Sequence, residues 1–236
     1  MTKTFFIADV HLGSDYPEKT SLLLSFMDLV QREGGDLYIL GDLFDYWANN
    51  KKILNDNAPV LTGLQALASC GSRVGLLYGN RDFLISEKSL APYGIDFLGE
   101  EKEIILDKKR VFLAHGHTLC LGDIQFLRYK ERVWPLFRRL DRVLPGFIEN
   151  FLAKKFILKS KEVIESQEQS RFQFTMDLVR DYFSDGIDTV ICGHGHRKEE
   201  HHLKQHSFYA LPAWENARGH YLLHAGGDFG YHEFAG

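Results

Sequence analysis

The sequence predicts an α/β fold built on a parallel sheet. Over the first 80 residues, three short apolar segments with strand character alternate with two segments of helical periodicity. This strand–helix–strand repetition is typical of βαβ units with parallel strands. The chain has 236 residues, 44% of them hydrophobic and 25% charged, which is enough for one sizeable core and argues against a disordered chain.

The predicted strands of this repetition cover 3–10, 36–42 and 72–80, and the predicted helices between them cover 18–34 and 59–71. The first helix ends at a glycine, and the second begins with Pro59 and ends at Gly71, as helices commonly do. The segment 100–117 predicts a β-hairpin that turns at 107–109. Further short strands are predicted within 188–194, 199–213 and 219–227.

A different composition separates the hairpin from the last strands. Residues 122–183 carry mainly helical periodicity, and we predict a helical lid insertion there, within a core formed by 1–121 and 184–236. Between Arg128 and Lys161 the net charge is +7 in a chain whose total is −4, so the remainder carries −11. Apolar residues alternate with these basic ones, which suits an anionic membrane surface, a slot for acyl chains or ordinary packed helices.

Composition also limits the cellular setting. The cysteines Cys70, Cys120 and Cys192 form no CxxC pair, which favours a reducing compartment and excludes a disulfide framework. The N-terminus shows no signal peptide and no segment has the roughly 18 apolar residues of a spanning helix, so we expect a cytoplasmic protein. Aromatic and basic residues interleave in the insertion, but the acidic remainder argues against a nucleic-acid partner.

Polar residues that can bind metals follow five of the predicted strands. In an open α/β sheet, ligands bind beyond the carboxyl ends of the strands, so these residues are expected to converge. They are Asp9 and His11, then Asp42, then Asn80, Arg81 and Asp82, then His115 and His117, and finally His194 and His196.

Taken singly, each of these motifs could be a turn, a helix cap or a surface loop. Together, at the ends of five strands, they predict a metal site. Oxygen and imidazole ligands without thiolate suit manganese, iron, zinc or cobalt. The ligands suffice for two ions, which at a spacing of about 3.5–4 Å can activate water and neutralise a phosphoryl oxygen. The remaining histidines are interpreted as surface or core residues: His201, His202, His206, His220, His224 and His232.

The order D-x-H, GD, GN-[HR]-D, H, GHxH resembles the calcineurin-like metallophosphoesterase family over nearly the whole core. The resemblance implies a four-layer α/β-β-α sandwich and a dinuclear site. It assigns one ion to Asp9, His11, Asp42 and His196, and the other to Asp42, Asn80, His115 and His194, with Asp42 bridging. It also makes Asn80, Arg81 and His115 the candidate catalytic residues.

Arg81 departs from the family pattern, in which many members have histidine after the asparagine. A guanidinium is a poor proton donor but a good bidentate clamp for phosphate. The departure therefore favours a substrate whose leaving group needs little protonation, such as a phosphate anhydride.

A narrower resemblance rests on "YILGDLFDYW", "GNRDFL", "HGHTLC" and "ALPAWE", together with the helical insertion. These segments look like those of the UDP-2,3-diacylglucosamine pyrophosphatases of lipid A biosynthesis. The resemblance implies hydrolysis of that lipid-linked UDP-sugar to UMP and 2,3-diacylglucosamine 1-phosphate, usually with Mn²⁺. The basic amphipathic insertion adds the expectation of peripheral attachment to the inner membrane. Asn80 and Arg81 would clamp the diphosphate, Asp123 would hold the sugar, and Ser160 and His194 would add contacts.

Two features differ from that subfamily. His117 stands where an aspartate is frequent, and Ile164 and Gln167 stand where the best-known members have asparagine and lysine. Contacts made by the lid are therefore expected to be rearranged. The alternatives are a phosphodiesterase or nucleotide pyrophosphatase acting on a soluble substrate and, in another class, a catalytically inactive metal-binding scaffold.

Overall fold

The computed structural model of the chain describes residues 2–13, 16–120, 131–132, 134–135, 173–215 and 217–236. Its first half contains β1 (Thr4–Ile7), α1 (Pro17–Glu33), β2 (Asp36–Leu40), α2 (Lys51–Asp56), α3 (Ala58–Ser69), β3 (Val74–Leu77), α4 (Glu87–Leu90), β4 (Asp96–Gly99), β5 (Glu101–Leu106) and β6 (Lys109–Ala114). The later elements are α5 (Met176–Ser184), β7 (Thr189–Cys192), β8 (Glu199–Leu203), β9 (His206–Ala210), β10 (Gly219–Ala225) and β11 (Asp228–Phe234). Short 3₁₀ turns cover Ala91–Tyr93 and His117–Leu119.

The described strands form two sheets. The first has the order β11-β10-β1-β2-β3-β4, and β1 to β4 run parallel to one another. The second has the order β5-β6-β7-β9-β8, with β6, β7 and β9 parallel. Because both sheets have a parallel centre, the carboxyl ends of their central strands can meet at one edge of the molecule.

Successive side chains of β1 point to opposite faces of the first sheet and pack into different layers. Phe5 and Ile7 pack into a cluster with residues of α1 and α3, such as Phe26 and Leu64. Phe6, on the other face of the strand, belongs to the cluster between the two sheets. A third cluster joins the outer face of the second sheet to α5. The order helices, sheet, sheet, helix confirms the predicted four-layer α/β-β-α sandwich.

Local sequence signals account for the ends of several elements. Helix α1 has Pro17 in its first turn and ends at Gly34, whose φ of 66° is left-handed. The hairpin β5–β6 turns through Asp107 and Lys108 at φ 46° and 70°, the backbone that a two-residue hairpin loop requires.

The sequence analysis missed four elements, α2, α4, β4 and β11. Three of them, α2, α4 and β4, have at most six residues, too short for a period to be recognised. Helix α5 lies in the last part of the range predicted for the insertion, and its Val179 and Phe183 pack on the second sheet. Among the described residues, no helix combines the length and the apolar composition needed to cross a membrane.

Candidate metal centre

The predicted ligands lie directly after the central strands of both sheets. Asp9 follows β1, Asp42 follows β2, Asn80 follows β3, His115 follows β6 and His194 follows β7. All seven predicted metal ligands contact another member of the set, so the convergence expected from the sequence is present in the fold.

Asp9, His11 and His196 form one half of the site. The Nε2 atoms of His11 and His196 lie 3.1 Å apart. Oδ1 of Asp9 lies 3.7 Å from the first of these nitrogens and 3.4 Å from the second. Each of the three residues thus offers one ligand atom, and the three atoms lie within 4.8 Å of one another. A single metal ion could bind all three.

Asn80, His115 and His194 form the other half. Oδ1 of Asn80 lies 2.9 Å from Nε2 of His115 and 3.0 Å from Nδ1 of His194. The other nitrogen of His115, Nδ1, lies 2.9 Å from the carbonyl oxygen of Leu40 and can donate to it. That bond fixes the tautomer, so Nε2 is the nitrogen left to bind a ligand.

Asp42 lies between the two halves. Its Oδ2 is 3.9 Å from Nδ1 of His11 and 3.7 Å from Nε2 of His115. Its Oδ1 accepts a hydrogen bond of 2.8 Å from the backbone amide of Arg81. This position is compatible with the bridging role that the family resemblance implies.

The backbone at the site is in a conformation that side chains normally avoid. Eight non-glycine residues of the described chain have positive φ, and five of them are predicted ligands: Asp9, His11, Asp42, His194 and His196, with φ between 51° and 68°. The other three, Asp107, Lys108 and Lys204, lie in hairpin turns. Each left-handed residue costs roughly 1–2 kcal/mol, and such strain concentrates at functional sites because the surrounding structure must hold it.

Asp82 holds two of the ligand loops in place. Its buried carboxylate accepts hydrogen bonds from the backbone amides of Gly79 at 2.7 Å and Leu43 at 2.9 Å, and longer ones of 3.3 Å from Asp42 and Phe44. The carboxylate therefore ties the loop after β2 to the loop after β3. Burial, followed by the neighbouring charge of Asp42, raises the pKa of Asp82 to about 7.

Burial and mutual charge set the protonation of the ligands. Burial would raise the pKa of Asp9, but the imidazoles of His196, His115 and His11 outweigh it, and the pKa lies below its usual value. Burial lowers the pKa of His11 and of His194 well below that of free histidine. Burial also raises the pKa of Asp42. At His196 burial would lower the pKa, but the carboxylates of Asp9 and Asp42 outweigh burial and raise it. A cation bound here would take the place of a proton, because carboxylates and imidazoles bind metals in their deprotonated forms.

Arg81 closes the site on the His11 side. Its guanidinium lies 3.3 Å from Oδ1 of Asp45 and 3.8 Å from Oδ2 of Asp42. The same oxygen of Asp45 is 3.6 Å from Nδ1 of His11. Asp45 belongs to the motif GDLFD, yet the sequence analysis did not single it out as an anchor for Arg81.

On the opposite side, His117 is buried in a polar network. Its Nε2 lies 2.7 Å from Oε1 of Glu100, and the hydroxyl of Tyr78 donates to Oε2 of Glu100 at 3.1 Å. The ring of His117 is 5.4 Å from that of His115 and 5.6 Å from that of Trp134. Glu100 was missed because it belongs to no motif, although it is the first residue of the predicted hairpin. Asp123, Ser160, Ile164 and Gln167 lie outside the described residues.

The donor atoms fit divalent metal ions. Oδ1 of Asp9 and Nδ1 of His11 are buried and accept no hydrogen bond from any described group. Buried polar atoms of this kind normally have a partner, and a bound cation would supply one to Oδ1 of Asp9, which lies beside the ring nitrogens of His11 and His196. A second cluster of Asp9, Asp42 and His115 also has its ligand atoms within 4.8 Å. The set contains no thiolate, which favours metals that accept oxygen and nitrogen ligands.

Comparisons with known proteins agree with this geometry. The model of the calcineurin-like phosphoesterase family matches residues 2–198. UDP-2,3-diacylglucosamine hydrolase of Pasteurella multocida is 34% identical over 208 residues, which is 87% of each chain. The enzyme of the same name from Photorhabdus laumondii is 35% identical over 86% of this chain and 85% of its own. That of Azotobacter vinelandii is 32% identical over 97% and 96%.

A solved structure supports the fold alone. An archaeal phosphodiesterase superposes with a TM-score of 0.51 at 11% identity, covering 99% of both chains. Together with the family match, which spans most of the chain, these relatives settle the classification. The chain belongs to the calcineurin-like phosphoesterase family of metal-dependent hydrolases.

Proposed function

We propose that this protein hydrolyses the diphosphate linkage of UDP-2,3-diacylglucosamine, giving UMP and 2,3-diacylglucosamine 1-phosphate in lipid A biosynthesis. The observation that carries the proposal is the 32–35% identity with UDP-2,3-diacylglucosamine hydrolases over most of each chain. The site supports the same chemistry, because its ligands could hold two cations beside an arginine suited to phosphate.

In this proposal the ligands divide as the family resemblance implies. Asp9, His11, Asp42 and His196 hold one ion, while Asp42, Asn80, His115 and His194 hold the other. Oxygen and imidazole ligands are compatible with Mn²⁺, which we propose as the metal. When bound, two divalent ions lower the pKa of a coordinated water and neutralise charge on the phosphoryl oxygens.

The protein's own side chains position the substrate. Arg81, held by Asp45 at 3.3 Å, would present its guanidinium to two oxygens of the diphosphate. Oδ1 of Asn80 faces His115 and His194, so its amide nitrogen could donate to a phosphate oxygen. The guanidinium binds charge without supplying a proton, which suits a phosphate leaving group.

We assign the lipid half of the substrate to the insertion. Asp123 and Ser160 would contact the sugar there, beyond the described residues. The segment between Arg128 and Lys161 carries a net charge of +7, which would attract the anionic cytoplasmic face of the inner membrane. Peripheral attachment would bring the site to a substrate whose acyl chains remain in the bilayer.

The test is phosphorus NMR of the products formed from UDP-2,3-diacylglucosamine in detergent, with Mn²⁺ and oxygen-18 water. We expect UMP and the lipid phosphate, with the heavy oxygen in UMP if water attacks the phosphorus nearer uridine. UDP-glucosamine, which lacks acyl chains, is the matched control and should react far more slowly. Equal turnover of the two would indicate a nucleotide pyrophosphatase for soluble substrates, and no turnover of either would contradict the proposal.

A further inference from the structure

A cavity of about 660 Å³ opens beside the half of the site that contains His11. Its volume lies within the range of roughly 300–1,000 Å³ that is usual for small-molecule sites. The residues that matter for recognition are Tyr16, Lys19, Asp45, Arg81, Trp214 and Arg218. The lining carries three cations against two carboxylates, Asp45 and Glu215, so a net positive charge remains to attract an anionic ligand that reaches the metal centre.

Lys19 is the most informative of these residues. Only 7% of it is exposed, although lysine is rarely buried without a partner. Its ammonium donates to the carbonyl oxygen of Val10 at 3.1 Å and lies 5.5 Å from the centre of the Tyr16 ring, and no carboxylate of the described residues forms an ion pair with it. An ammonium has three donors, so Lys19 retains capacity to bind an oxygen of a ligand in the cavity.

Trp214, which also lines the cavity, is held in place by hydrogen bonds. The backbone amide of Trp214 donates to the carbonyl oxygen of Asp9 at 3.1 Å, and its indole donates to that of His220 at 2.9 Å. The indole also packs edge-on against Phe26. Trp214 therefore keeps a fixed position relative to the metal centre. Arg218, further along the chain, is exposed and lies 4.0 Å from Glu233.

The two sides of the metal centre differ in what covers them. Trp134, part of the sequence predicted as the insertion, stacks on Phe83 with ring centres 4.4 Å apart and approaches His117. This one described residue thus contacts the core beside His117, whose ring neighbours those of His115 and His194. The cavity lies on the other side, next to His11 and Arg81. A substrate with a diphosphate at the metals would extend one half toward each side.

We propose that this cavity binds the nucleotide half of the substrate, with Lys19 and Arg218 binding oxygens of the ribose phosphate and the Tyr16 ring lying against the base. This inference rests on the proposed function, which gives the substrate a lipid half and a nucleoside half. The insertion takes the lipid half, so the cavity beside His11 takes the uridine.

The inference is tested by calorimetric titration of the full-length protein, loaded with Mn²⁺, with UMP and with inorganic phosphate. Lys19→Met and Arg218→Ser should each weaken UMP binding about ten-fold, the value of one hydrogen bond to a charged group. Arg32→Ser, at the exposed far end of the helix that carries Lys19, is the control and should bind UMP as the wild type does. Arg218 is exposed, so its variant remains informative if Lys19→Met folds poorly.

Three results would overturn the inference: unchanged UMP affinity in both variants, weaker binding in the control alone, or inorganic phosphate binding as tightly as UMP. The last would place the ligand's phosphate on the metals with no contribution from the cavity. Wild-type turnover of UDP-2,3-diacylglucosamine decides the proposed function separately. A protein that fails to turn it over, yet binds UMP through Lys19, would keep the nucleotide site and lose the proposed substrate.

Discussion

The backbone amide of His194 donates a hydrogen bond of 2.7 Å to Oδ2 of Asp9, although 185 positions separate the two residues. This bond occupies one oxygen of the carboxylate, so the other, Oδ1, faces His11 and His196. The first strand and the turn after β7 therefore fix each other, and one carboxylate both braces the turn and supplies a candidate ligand.

Asp9→Asn tests the ligand role of that carboxylate. The amide has a similar shape but no charge, so we expect Mn²⁺ binding to weaken and the rate of hydrolysis to fall by about 100-fold or more. Losing a residue that only hydrogen-bonds a metal ligand typically costs about 10–100-fold, and losing the ligand itself should cost at least as much. Metal content by atomic spectroscopy and the rate with saturating Mn²⁺ are the measurements. Asp28→Asn, on the exposed face of α1, is the control. Full metal content in Asp9→Asn would remove Asp9 from the ligand set.

Gly193 is required by the close approach of the two chain segments. A Cβ added there would lie 2.5 Å from Cβ of Ala8 and 2.5 Å from Oδ2 of Asp9. Gly193→Ala should therefore displace the turn that carries His194 and His196, weaken Mn²⁺ binding and cost about 1–3 kcal/mol of stability. Urea unfolding and metal titration measure the two effects.

Gly230→Ala is the matched control, because its added Cβ would meet nothing nearer than Nε2 of His232 at 3.4 Å. If Gly193→Ala binds Mn²⁺ as tightly as this control, the close packing of the turn has no role in the metal site.

Much of the site was predictable because its parts are local motifs at the ends of strands. Asp9 and Asp42 each follow an apolar run that could be recognised as a strand, and the rule on carboxyl ends then places them together. The supporting residues were not predictable in the same way. Glu100 reaches His117 across the open end of the β5–β6 hairpin, where Glu101 pairs with Ala114, but no motif marks it as a partner. Asp82 acts through backbone amides, which no side-chain pattern records.

The elements of the fold that have a strong apolar pattern in the sequence were also predictable. The apolar run of β1 reflects burial on both faces of the strand, and the apolar spacing of α1 reflects burial on one face of the helix. Helices α2 and α4 could not be recognised, since short helices form through tertiary packing more than through their own sequence. The pairing of β10 with β1 was likewise invisible, because it joins segments from the two ends of the chain.

Asp82→Asn tests the support that this buried carboxylate gives to the ligand loops. Gly79 and Asp42 donate to Oδ1 of Asp82, and Leu43 and Phe44 donate to Oδ2. Asparagine keeps one acceptor oxygen, but its NH₂ group replaces the other and faces the two amides that donated to it. We expect a loss of roughly 2–4 kcal/mol in the free energy of unfolding and a 10–100-fold loss of activity. Asp181→Asn, exposed on α5, is the control for both measurements. Unchanged stability in Asp82→Asn would show that the amides are satisfied without the carboxylate.

His224 gives the protein an acid sensitivity that is independent of the metal site. It is 4% exposed on β10, lies 3.5 Å from Asp107 and packs against Phe229. Burial lowers its pKa below 6.5, the usual value of histidine, and the carboxylate of Asp107 offsets this only in part. The unfolded chain therefore binds a proton more readily than the folded one. The stability associated with His224 is complete above pH 6.5 and is lost as the pH falls below that value.

His224→Phe removes the proton site and retains an aromatic ring against Phe229. Between pH 7 and pH 5 we expect the free energy of unfolding of the wild type to fall more steeply than that of the variant, by at most about 1.4 kcal/mol per pH unit. Urea unfolding at a series of pH values gives both curves. His201→Gln, exposed on β8, should follow the wild type. Parallel curves for the wild type and His224→Phe would mean that the buried imidazole titrates alike in the folded and unfolded chains, and that Asp107 compensates fully for its burial.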